Sequence, residues 1–363
     1  METKAATILP GQKLRARGAA SNAVGRYEGA LRLAYDDGWD IPHDERLVRT
    51  EVRIENPRSA ITYNQSPDLP FDRSINPYRG CEHGCVYCFA RPSHAWLNLS
   101  PGLDFETKLI ARPGIGAVLD RELRAKTYRP AVIALGTNTD PYQPIEAEHR
   151  VMREVLEVLM AHRHPVAITT KGTLIERDLD ILAPMAAQGL LRVGMTVTTL
   201  EDDLSRRMEP RVPRPARRLQ TIRRLTDAGV PVRVMVSPLI PGLSDHELEP
   251  ILQAAKTAGA VAASWIHLRL PLEVSGLFQE WLAQHYPDRA AKVMGRVREL
   301  HGGKEYDAAF GQRFRGQGLW ADLMRKRFKV ATERLGLNPD LPPLRCDLFR
   351  PPTGQGAQMG FDL

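Results

Sequence analysis

The sequence comprises 363 residues, of which 43% are apolar, and its formal net charge at pH 7 is +7. This composition supports one large domain or two smaller ones and excludes a fibrous or wholly disordered chain. No apolar run approaches the roughly 18 residues that a membrane-spanning helix needs, so we expect a cytoplasmic protein without a membrane partner. The basic charge suits a nucleic-acid partner, but net charge alone is weak support for one.

The first 72 residues predict little regular structure. Residues 1–26 are rich in Arg, Ala and Gly, and we expect a flexible tail there. Residues 27–72 contain many turn-forming residues and predict an N-terminal wrapping segment. Within this segment, residues 50–55 alternate polar and apolar side chains, which is typical of a half-buried strand.

From residue 73 to residue 272 the chain alternates between β-rich apolar runs and helical patterns. A spacing of about 30 residues between runs is typical of parallel strands joined by right-handed crossovers. We therefore predict an α/β fold with a partial (β/α)6 barrel resembling part of a TIM barrel. A doubly wound open sheet is the alternative, and both folds bind ligands at the carboxyl ends of their strands. The predicted strands lie near 74–78, 132–136, 166–170, 192–198, 232–236 and 263–269, and the predicted helices near 115–126, 145–162, 176–188, 215–228 and 245–258.

The remainder of the chain is basic and helical in pattern. We predict a helical C-terminal extension over residues 273–350 and an irregular tail over residues 351–363. Residues 286–350 contain fourteen Lys or Arg and eight Asp or Glu, so this extension carries a positive surplus.

Three of the four cysteines, Cys81, Cys85 and Cys88, lie within eight residues after the first predicted barrel strand. Thiolates are soft ligands that favour zinc or an iron–sulfur cluster. Three thiolates on one loop can hold three irons of a four-iron cluster and leave the fourth iron open. This loop is therefore the strongest indication of chemistry in the sequence.

Other interpretations of the cysteine loop remain open at this point. A structural zinc ion would need a fourth ligand, which His83 or the distant Cys346 could provide. Cys346 could also complete an ordinary four-cysteine cluster. A redox pair formed by Cys85 and Cys88 would leave Cys81 without a role.

The pattern Cys-x3-Cys-x2-Cys after a first barrel strand, with Tyr87 before the third cysteine, resembles the radical S-adenosylmethionine (SAM) superfamily. The resemblance covers roughly residues 55–270, with weaker support to residue 350. It is closest to the branch that contains spore photoproduct lyase, and within it to the broadly distributed bacterial relatives rather than to the spore enzyme. The similar stretches beyond the loop are 135–146, 169–178, 195–200, 208–210 and 237–245.

The resemblance implies an enzyme with one [4Fe–4S] cluster, held by Cys81, Cys85 and Cys88, whose open iron chelates SAM. An electron then cleaves SAM to methionine and a 5′-deoxyadenosyl radical, which abstracts a hydrogen atom from the substrate. A flavodoxin- or ferredoxin-type electron donor is implied as well. The substrate is unknown, and nucleic acid in a lyase-like or modifying reaction is the leading hypothesis. The alternative is a non-catalytic iron–sulfur or zinc-binding module that binds nucleic acid.

By the same resemblance, residues near the strand ends would bind SAM. The chain lacks the usual Gly-Gly-Glu of the family after the second strand, so a Thr hydroxyl and backbone carbonyls would replace it there. Each assignment has a plainer alternative: an aromatic wedge, a solvent-facing lysine, or threonines present for strand propensity. The expected contacts are Tyr87 with the adenine, Gly136 and Thr137 with the amino group, Lys171 with the carboxylate, and Thr196, Thr198 and Ser237 with the ribose.

A dense polar set follows the second predicted strand, and one or more of its members would face the substrate. The alternative is a turn followed by a helix cap. The set consists of Asp140, Tyr142, Gln143 and Glu146.

Spore photoproduct lyase ends its cycle with a hydrogen atom returned by a cysteine shortly after the cluster. This sequence has no cysteine between Cys88 and Cys346. Cys346 could serve if the C-terminal segment folds over the barrel mouth, and Tyr142 is a second candidate donor. The alternative for Cys346 is a buried, inert thiol.

Two further groups of residues could contact nucleic acid. Eight arginines between residues 206 and 224 could bind phosphates, although a solvated helix face is the expected role. The tryptophans could stack on bases, although core packing is expected for each. The arginines are Arg206, Arg207, Arg211, Arg214, Arg217, Arg218, Arg223 and Arg224, and the tryptophans are Trp96, Trp265, Trp281 and Trp320.

Overall fold

The computed structural model describes residues 17–22, 25–27, 48–337 and 341–352. Most of the predicted tail 1–26, part of the wrapping segment 27–72 and nearly all of the predicted tail 351–363 lie outside the described residues. The described strands are β1 (Glu51–Ile54), β2 (Ile61–Tyr63), β3 (Arg73–Ile75), β4 (Tyr78–Arg79), β5 (Lys108–Ala111), β6 (Ile133–Leu135), β7 (Val166–Thr170), β8 (Leu191–Thr196), β9 (Val232–Leu239) and β10 (Ala262–His267).

Helices follow most of these strands, as the alternating pattern predicts. Short 3₁₀ helices cover Arg91–Leu97, Thr173–Asp178, Asp245–Glu247 and Cys346–Leu348. The α-helices of the described part are α1 (Asp104–Thr107), α2 (Ile115–Leu123), α3 (Glu146–His149), α4 (Val151–Ala161), α5 (Leu179–Ala187), α6 (Asp202–Met208), α7 (Pro215–Asp227), α8 (Leu248–Thr257), α9 (Glu273–His285), α10 (Pro287–Leu300) and α11 (Gly318–Leu335).

The main sheet has the strand order β10-β9-β8-β7-β6-β3-β2. Strands β3, β6, β7, β8, β9 and β10 pair in parallel, each with the next in this list. Strand β2 joins the edge antiparallel to β3. The sheet therefore grows in one direction as the chain proceeds. A doubly wound sheet reverses its strand order part-way, so that alternative is wrong. The predicted partial (β/α)6 barrel is confirmed.

Two-residue periodicity separates the two faces of the barrel wall. Val193 and Met195 of β8 are fully buried in the main core, where α4 and α7 contribute Leu156 and Leu225. Alternate residues such as Thr196 face the other side. Apolar outward-facing residues thus attach the helices to the sheet, and smaller or polar residues line the interior.

The predicted helix at 145–162 is interrupted. It divides into α3 and α4 at Arg150, whose φ of 50° lies in the left-handed region. Because a non-glycine residue seldom adopts this conformation, residue pattern alone does not indicate the break.

A second, three-stranded sheet lies beside the barrel, in the order β1-β5-β4. The strand predicted at 50–55 is observed as β1, and it pairs parallel with β5. A half-buried strand was expected, but Ile54 of β1 is 57% exposed. One face of this strand lacks a covering layer in the described part of the chain.

Residues 17–22 do not behave as the flexible tail expected for residues 1–26. The backbone N–H groups of Gly18 and Ala19 donate hydrogen bonds of 2.9 and 2.8 Å to the carboxylate of Glu106. Glu106 is fully buried, so these N–H groups satisfy a charge that water does not reach. The beginning of the described chain is thereby attached to the loop region that holds the cysteines.

The helices of the predicted C-terminal extension pack in two different places on the barrel. Helices α9 and α10 form a second apolar core together with Cys85, Val86 and Tyr87 of the cysteine loop. Helix α11 packs beside α8, where Arg327 pairs with Glu249. In the described part, no helix combines the length and the apolar character that a membrane crossing requires.

Candidate active site

The cysteine loop follows β4 and is held from two sides by backbone hydrogen bonds. The N–H of Cys81 donates to Phe105 O at 2.9 Å, and the N–H of Val86 donates to Met208 O at 3.0 Å. Gly84 has a φ of 66°, and a Cβ there would lie 2.6 Å from Glu106 Oε2. A glycine is therefore needed where the loop passes the buried carboxylate.

Arg91, just beyond the loop, is completely buried beneath it. Its guanidinium donates to Cys85 O at 2.9 Å and to Gly84 O at 3.1 Å, and it pairs with Glu106. It also donates to the carbonyls of residues 101 and 102. This arginine fixes the backbone of the cysteine loop, and nothing in the residue pattern singled it out.

The three thiols of the loop are largely removed from solvent. Cys81 and Cys85 are 7% and 8% exposed, and Cys88 is half-buried. Burial raises the pKa of each thiol, and for Cys81 the neighbouring Cys85 and Cys88 raise it further. Binding of a metal would release the thiol protons and remove this penalty. All three are free cysteines.

The expected fourth ligands of a closed metal site are not supplied. His83 Nδ1 lies 3.4 Å from Asp140 Oδ2, a carboxylate on another loop. Cys346 lies far from the loop, as described below. Within the described part of the chain the site therefore offers three cysteine ligands, which suits a cluster with one open iron better than a structural zinc ion.

Lys171 and Tyr87, both expected at the SAM site, meet beside the thiols. The Lys171 ammonium lies 5.9 Å from the centre of the Tyr87 ring. Its charge acts to lower the pKa of Cys85 and of Cys88, which places it near both sulfurs. Lys171 is half-buried rather than fully solvent-facing. The positive charge of Lys171 is thus available where the cysteine loop meets the end of β7.

Tyr87 is itself fixed by a buried ion pair. Its hydroxyl donates a hydrogen bond to Glu209, and Glu209 pairs with Arg218 at 2.9 Å. Burial acts to raise the pKa of Glu209, but Arg218 and Lys171 outweigh it, so this pKa is lowered. Sequence reasoning did not assign a role to Glu209. The sequence feature that could have indicated a role is that Glu209 is the single carboxylate in the arginine-rich stretch at 206–224.

Arg218 extends the same network to the fourth barrel strand. It donates to Thr196 O at 3.1 Å and pairs with Glu209, whereas the buried Thr198 hydroxyl has no hydrogen-bond partner among the described residues. Both threonines are buried, as expected for residues that point into the barrel. The ends of β8 and of the cysteine loop are therefore joined through Glu209.

The polar set after β6 mainly holds the cysteine loop against the sheet. Asp140 accepts hydrogen bonds from Thr170 Oγ1 at 2.6 Å and from the Lys171 N–H at 2.7 Å. Gln143 accepts from the Glu82 N–H at 2.7 Å and donates to Gly80 O at 3.2 Å. These contacts occupy the groups that we expected to face a substrate.

Tyr142 and Glu146 lie in an ion-pair network at the helix layer. Tyr142 is 1% exposed, and its hydroxyl donates to Asp178 Oδ2 at 3.2 Å. Glu146 accepts from the Tyr78 hydroxyl and pairs with Arg177 at 2.6 Å. The expectation that Tyr142 returns a hydrogen atom is wrong, because its hydroxyl is enclosed by this network.

The remaining expected SAM contacts lie at the same carboxyl edge of the sheet. Gly136 has a φ of 80°, and a Cβ there would lie 1.9 Å from Thr169 O. The glycine therefore brings the turn after β6, including the half-buried Thr137, close to β7. Ser237 lies near the end of β9, and its buried hydroxyl has no hydrogen-bond partner among the described residues.

Cys346 lies at the opposite end of the barrel. The Arg345 N–H donates to Gly189 O, which precedes β8, and the Arg350 N–H donates to His162 O, which precedes β7. Residues before parallel strands lie at the amino edge of the sheet, whereas the cysteine loop lies at the carboxyl edge. The proposed role of Cys346 as a hydrogen donor, or as a fourth cluster ligand, is therefore wrong.

Most arginines of the stretch at 206–224 form ion pairs with carboxylates of the same chain. Arg211 pairs with Glu82 at 3.0 Å, and Arg217 and Arg224 both pair with Glu176. Trp281 and Trp320 are buried and Trp265 is partly buried, as expected. Trp96 differs from that expectation, because it is 71% exposed and contacts Tyr27.

Comparison with known families decides the interpretation of this site. The sequence model of the Radical SAM superfamily matches residues 75–255, which contain the cysteine loop and four of the six parallel strands, β6 to β9. The chain belongs to the radical SAM superfamily. It is accordingly a radical SAM enzyme, and the three cysteines, Lys171 and the strand-end hydroxyls occupy the matched region.

Related sequences from other organisms resemble this radical SAM protein over most of its length. An uncharacterised protein of Mycobacterium tuberculosis is 39% identical over 235 residues, which cover 64% of this chain and 68% of that protein. An uncharacterised protein of Methanocaldococcus jannaschii is 28% identical over 214 residues, which cover 59% of this chain and 76% of that protein.

Solved structures with the same fold include spore photoproduct lyase. A tyrosine-to-phenylalanine variant of that enzyme matches with a TM-score of 0.58 at 15% identity, over 79% of this chain and 80% of that chain. The lyase complexed with dinucleoside spore photoproduct matches with a TM-score of 0.58 at 14% identity, over 78% and 79% of the two chains. This likeness shows that the chain and spore photoproduct lyase share a fold.

The superfamily implies SAM and an iron–sulfur cluster, and the residues of this chain fit both. The three thiols of one loop lack a fourth protein ligand among the described residues, and the Lys171 ammonium lies 5.9 Å from the ring of Tyr87 in the same loop. The unpartnered Ser237 hydroxyl at the same edge can bind a polar ligand group.

Proposed function

We propose that Cys81, Cys85 and Cys88 bind a [4Fe–4S] cluster whose open iron receives SAM. The bound cluster would supply the electron that cleaves SAM to methionine and a 5′-deoxyadenosyl radical, which abstracts a hydrogen atom from the substrate. One observation carries this proposal: two buried thiols and one half-buried thiol share a loop that has no fourth ligand among the described residues and lies against a half-buried lysine. The low-potential electron would come from a flavodoxin- or ferredoxin-type protein in the cytoplasm.

The residues around the loop would position SAM. Lys171 would neutralise the carboxylate of SAM, because its ammonium is a compact charge beside the cysteines. Tyr87 would present its ring to the adenine, since Glu209 holds its hydroxyl. Thr196, Thr198 and Ser237 would offer oxygen atoms to the ribose, and Gly136 and Thr137 would offer backbone carbonyls and a hydroxyl to the amino group.

We further propose that the substrate is a nucleic acid. The net charge of +7 and the exposed Trp96, in the 3₁₀ helix that follows the cysteine loop, support this class. A protein of the same fold, spore photoproduct lyase, is described with a dinucleoside photoproduct bound. The reaction would differ in its final hydrogen transfer, because Cys346 lies at the amino edge of the sheet and the Tyr142 hydroxyl is buried against Asp178.

Anaerobic reconstitution tests the cluster and the SAM chemistry. Dithionite-reduced wild-type protein should bind about four irons and release 5′-deoxyadenosine from SAM, measured by liquid chromatography. The Cys85→Ala variant should lose the product completely, because a loop with two thiols cannot hold the cluster. The matched control, Cys346→Ala, removes the thiol at the opposite end of the barrel and should retain product formation.

Three outcomes would count against the proposal or narrow it. A wild-type protein that binds no iron contradicts it, as does a Cys85→Ala variant as active as the wild type. A cluster that forms but never yields 5′-deoxyadenosine, in a protein that binds nucleic acid, would favour the non-catalytic binding module instead.

A further inference from the structure

Aromatic rings and guanidinium groups alternate in a row at the mouth of the barrel. Arg269 lies 5.1 Å from the centre of the Phe89 ring and 4.4 Å from that of Phe314. Arg313 lies 4.9 Å from the same Phe314 ring and 4.9 Å from that of Phe310. We call this row, Phe89–Arg269–Phe314–Arg313–Phe310, the aromatic–arginine row.

The row runs from the cysteine loop towards solvent. Phe89 directly follows Cys88 and is 46% exposed. Arg269 lies two residues after the carboxyl end of β10, which places it at the same edge as the predicted cluster. The other end of the row, Phe310, is 59% exposed. A ligand on this row would therefore approach the cysteine loop.

The two arginines of the row differ in their partners. Arg313 forms a bidentate pair with Asp68 through Nε and Nη2. Arg269 has no carboxylate partner among the described residues, and its buried Nε has no hydrogen-bond acceptor there. The described acceptor of its guanidinium is the Tyr306 hydroxyl, at 3.2 Å. Its charge is thus held in place between rings without being neutralised.

A planar guanidinium held in this way is suited to one class of ligand. Aromatic rings lie 4.4 to 5.8 Å from its centre, and its terminal Nη groups can donate hydrogen bonds to the oxygens of a phosphate. The exposed rings at either side can contact flat bases. A cavity of 620 Å³ beside Phe310 and Phe314 gives room for such groups.

We propose that Arg269 binds a phosphodiester group of single-stranded nucleic acid and that Phe89 and Phe310 contact the flanking bases. This inference rests on the proposed nucleic-acid substrate and assigns the residues that hold it. Single-stranded nucleic acid is the favoured occupant because charge and stacking surface alternate along the row. A packing role alone would predict that the variants below alter stability without altering nucleic-acid affinity.

The test measures binding of a short fluorescein-labelled oligothymidylate to the reconstituted holoenzyme by fluorescence anisotropy over a range of salt concentrations. Arg269→Gln should weaken binding about 10-fold and reduce the salt slope by about 1, as expected for one lost phosphate contact. Arg269→Lys keeps the charge and should recover part of the affinity. Phe310→Leu should weaken binding about 5-fold through lost stacking.

Arg325→Gln is the matched control, because it removes one exposed arginine on α11 that pairs with Asp322. It should leave affinity within about 2-fold of the wild type. Circular dichroism melting shows whether each variant is folded. A folded Arg269→Gln variant with wild-type affinity and salt slope would overturn the inference.

The result for the wild type separates this inference from the proposed function. A wild-type protein that releases 5′-deoxyadenosine and binds the oligonucleotide independently of Arg269 leaves the proposed function standing and refutes the inference. A wild type that releases 5′-deoxyadenosine but binds no single-stranded nucleic acid refutes the inference and leaves the SAM chemistry intact. Failure to bind a duplex as well would refute the proposed substrate class.

Discussion

Individual buried charges organise the site, and each has a partner of opposite sign. Arg91 pairs with Glu106 beneath the cysteine loop, and Arg218 pairs with Glu209 beside Tyr87. Such pairs seldom add net stability over apolar packing, but removal of one partner leaves a costly buried charge. Their effect here is positional, since both arginines also bind backbone carbonyls of the site.

Lys171 stands apart from these pairs, because its contacts are the Tyr87 ring and the region of the thiols. We predict that Lys171→Met lowers the affinity of the reconstituted enzyme for SAM about 10-fold or more, since a carboxylate would lose its charge partner. The cluster should remain, because no thiol is removed. Isothermal titration with SAM and iron analysis measure the two effects.

Lys256→Met is the control for this prediction, because the Lys256 ammonium is exposed on α8 and contacts Gly336 O at 3.4 Å. Its affinity for SAM should equal that of the wild type. Wild-type affinity in Lys171→Met would show that the carboxylate is bound by another group.

The elements of the barrel follow from the sequence because their periodicity is strong. Strands β6 to β10 carry apolar β-branched runs, and the intervening helices carry apolar stripes of helical period. The three-stranded sheet was less visible, because β5 has four residues and pairs with strands distant in sequence. Short elements whose partners are remote give little local signal.

The candidate site was predictable only in part, for a related reason. The cysteines and Lys171 follow a recognisable spacing after strands. Arg91 and Arg218 are buried arginines, yet in sequence they look the same as the exposed arginines around them. The aromatic–arginine row joins residues from the cysteine loop, the end of β10 and the segment before α11. Only the folded chain brings these three segments together.

The conformation of the cysteine loop depends on Arg91, which lies beneath it. We predict that Arg91→Met lowers the free energy of unfolding by about 3–5 kcal/mol, because Glu106 would remain buried without its ion partner. Iron incorporation should fall as well, since the carbonyls of Gly84 and Cys85 lose their common donor. Urea denaturation and iron analysis provide the measurements.

Arg91→Lys keeps the charge but makes fewer contacts, so both properties should be intermediate. Full iron content and wild-type stability in Arg91→Met would mean that the backbone hydrogen bonds of Cys81 and Val86 suffice to hold the loop.

For the whole molecule, the two ends of the barrel have different tasks. The carboxyl edge carries the cysteine loop, Lys171 and the aromatic–arginine row. The amino edge is covered by residues 341–352, which bind Gly189 O and His162 O through backbone N–H groups. Placement of Cys346 at this second end is what removes it from the chemistry.

This separation gives a prediction for Phe349, which packs against Tyr128, His162 and His164 at the amino edge. Phe349→Ala should lower the free energy of unfolding by about 2 kcal/mol, less than a fully buried phenylalanine would, because Phe349 is only partly buried. Release of 5′-deoxyadenosine per cluster should be unchanged at a temperature where the variant is folded. Urea denaturation and a single-turnover assay measure the two quantities.

A folded variant that retains its cluster but loses product formation would show that the two ends of the barrel are coupled.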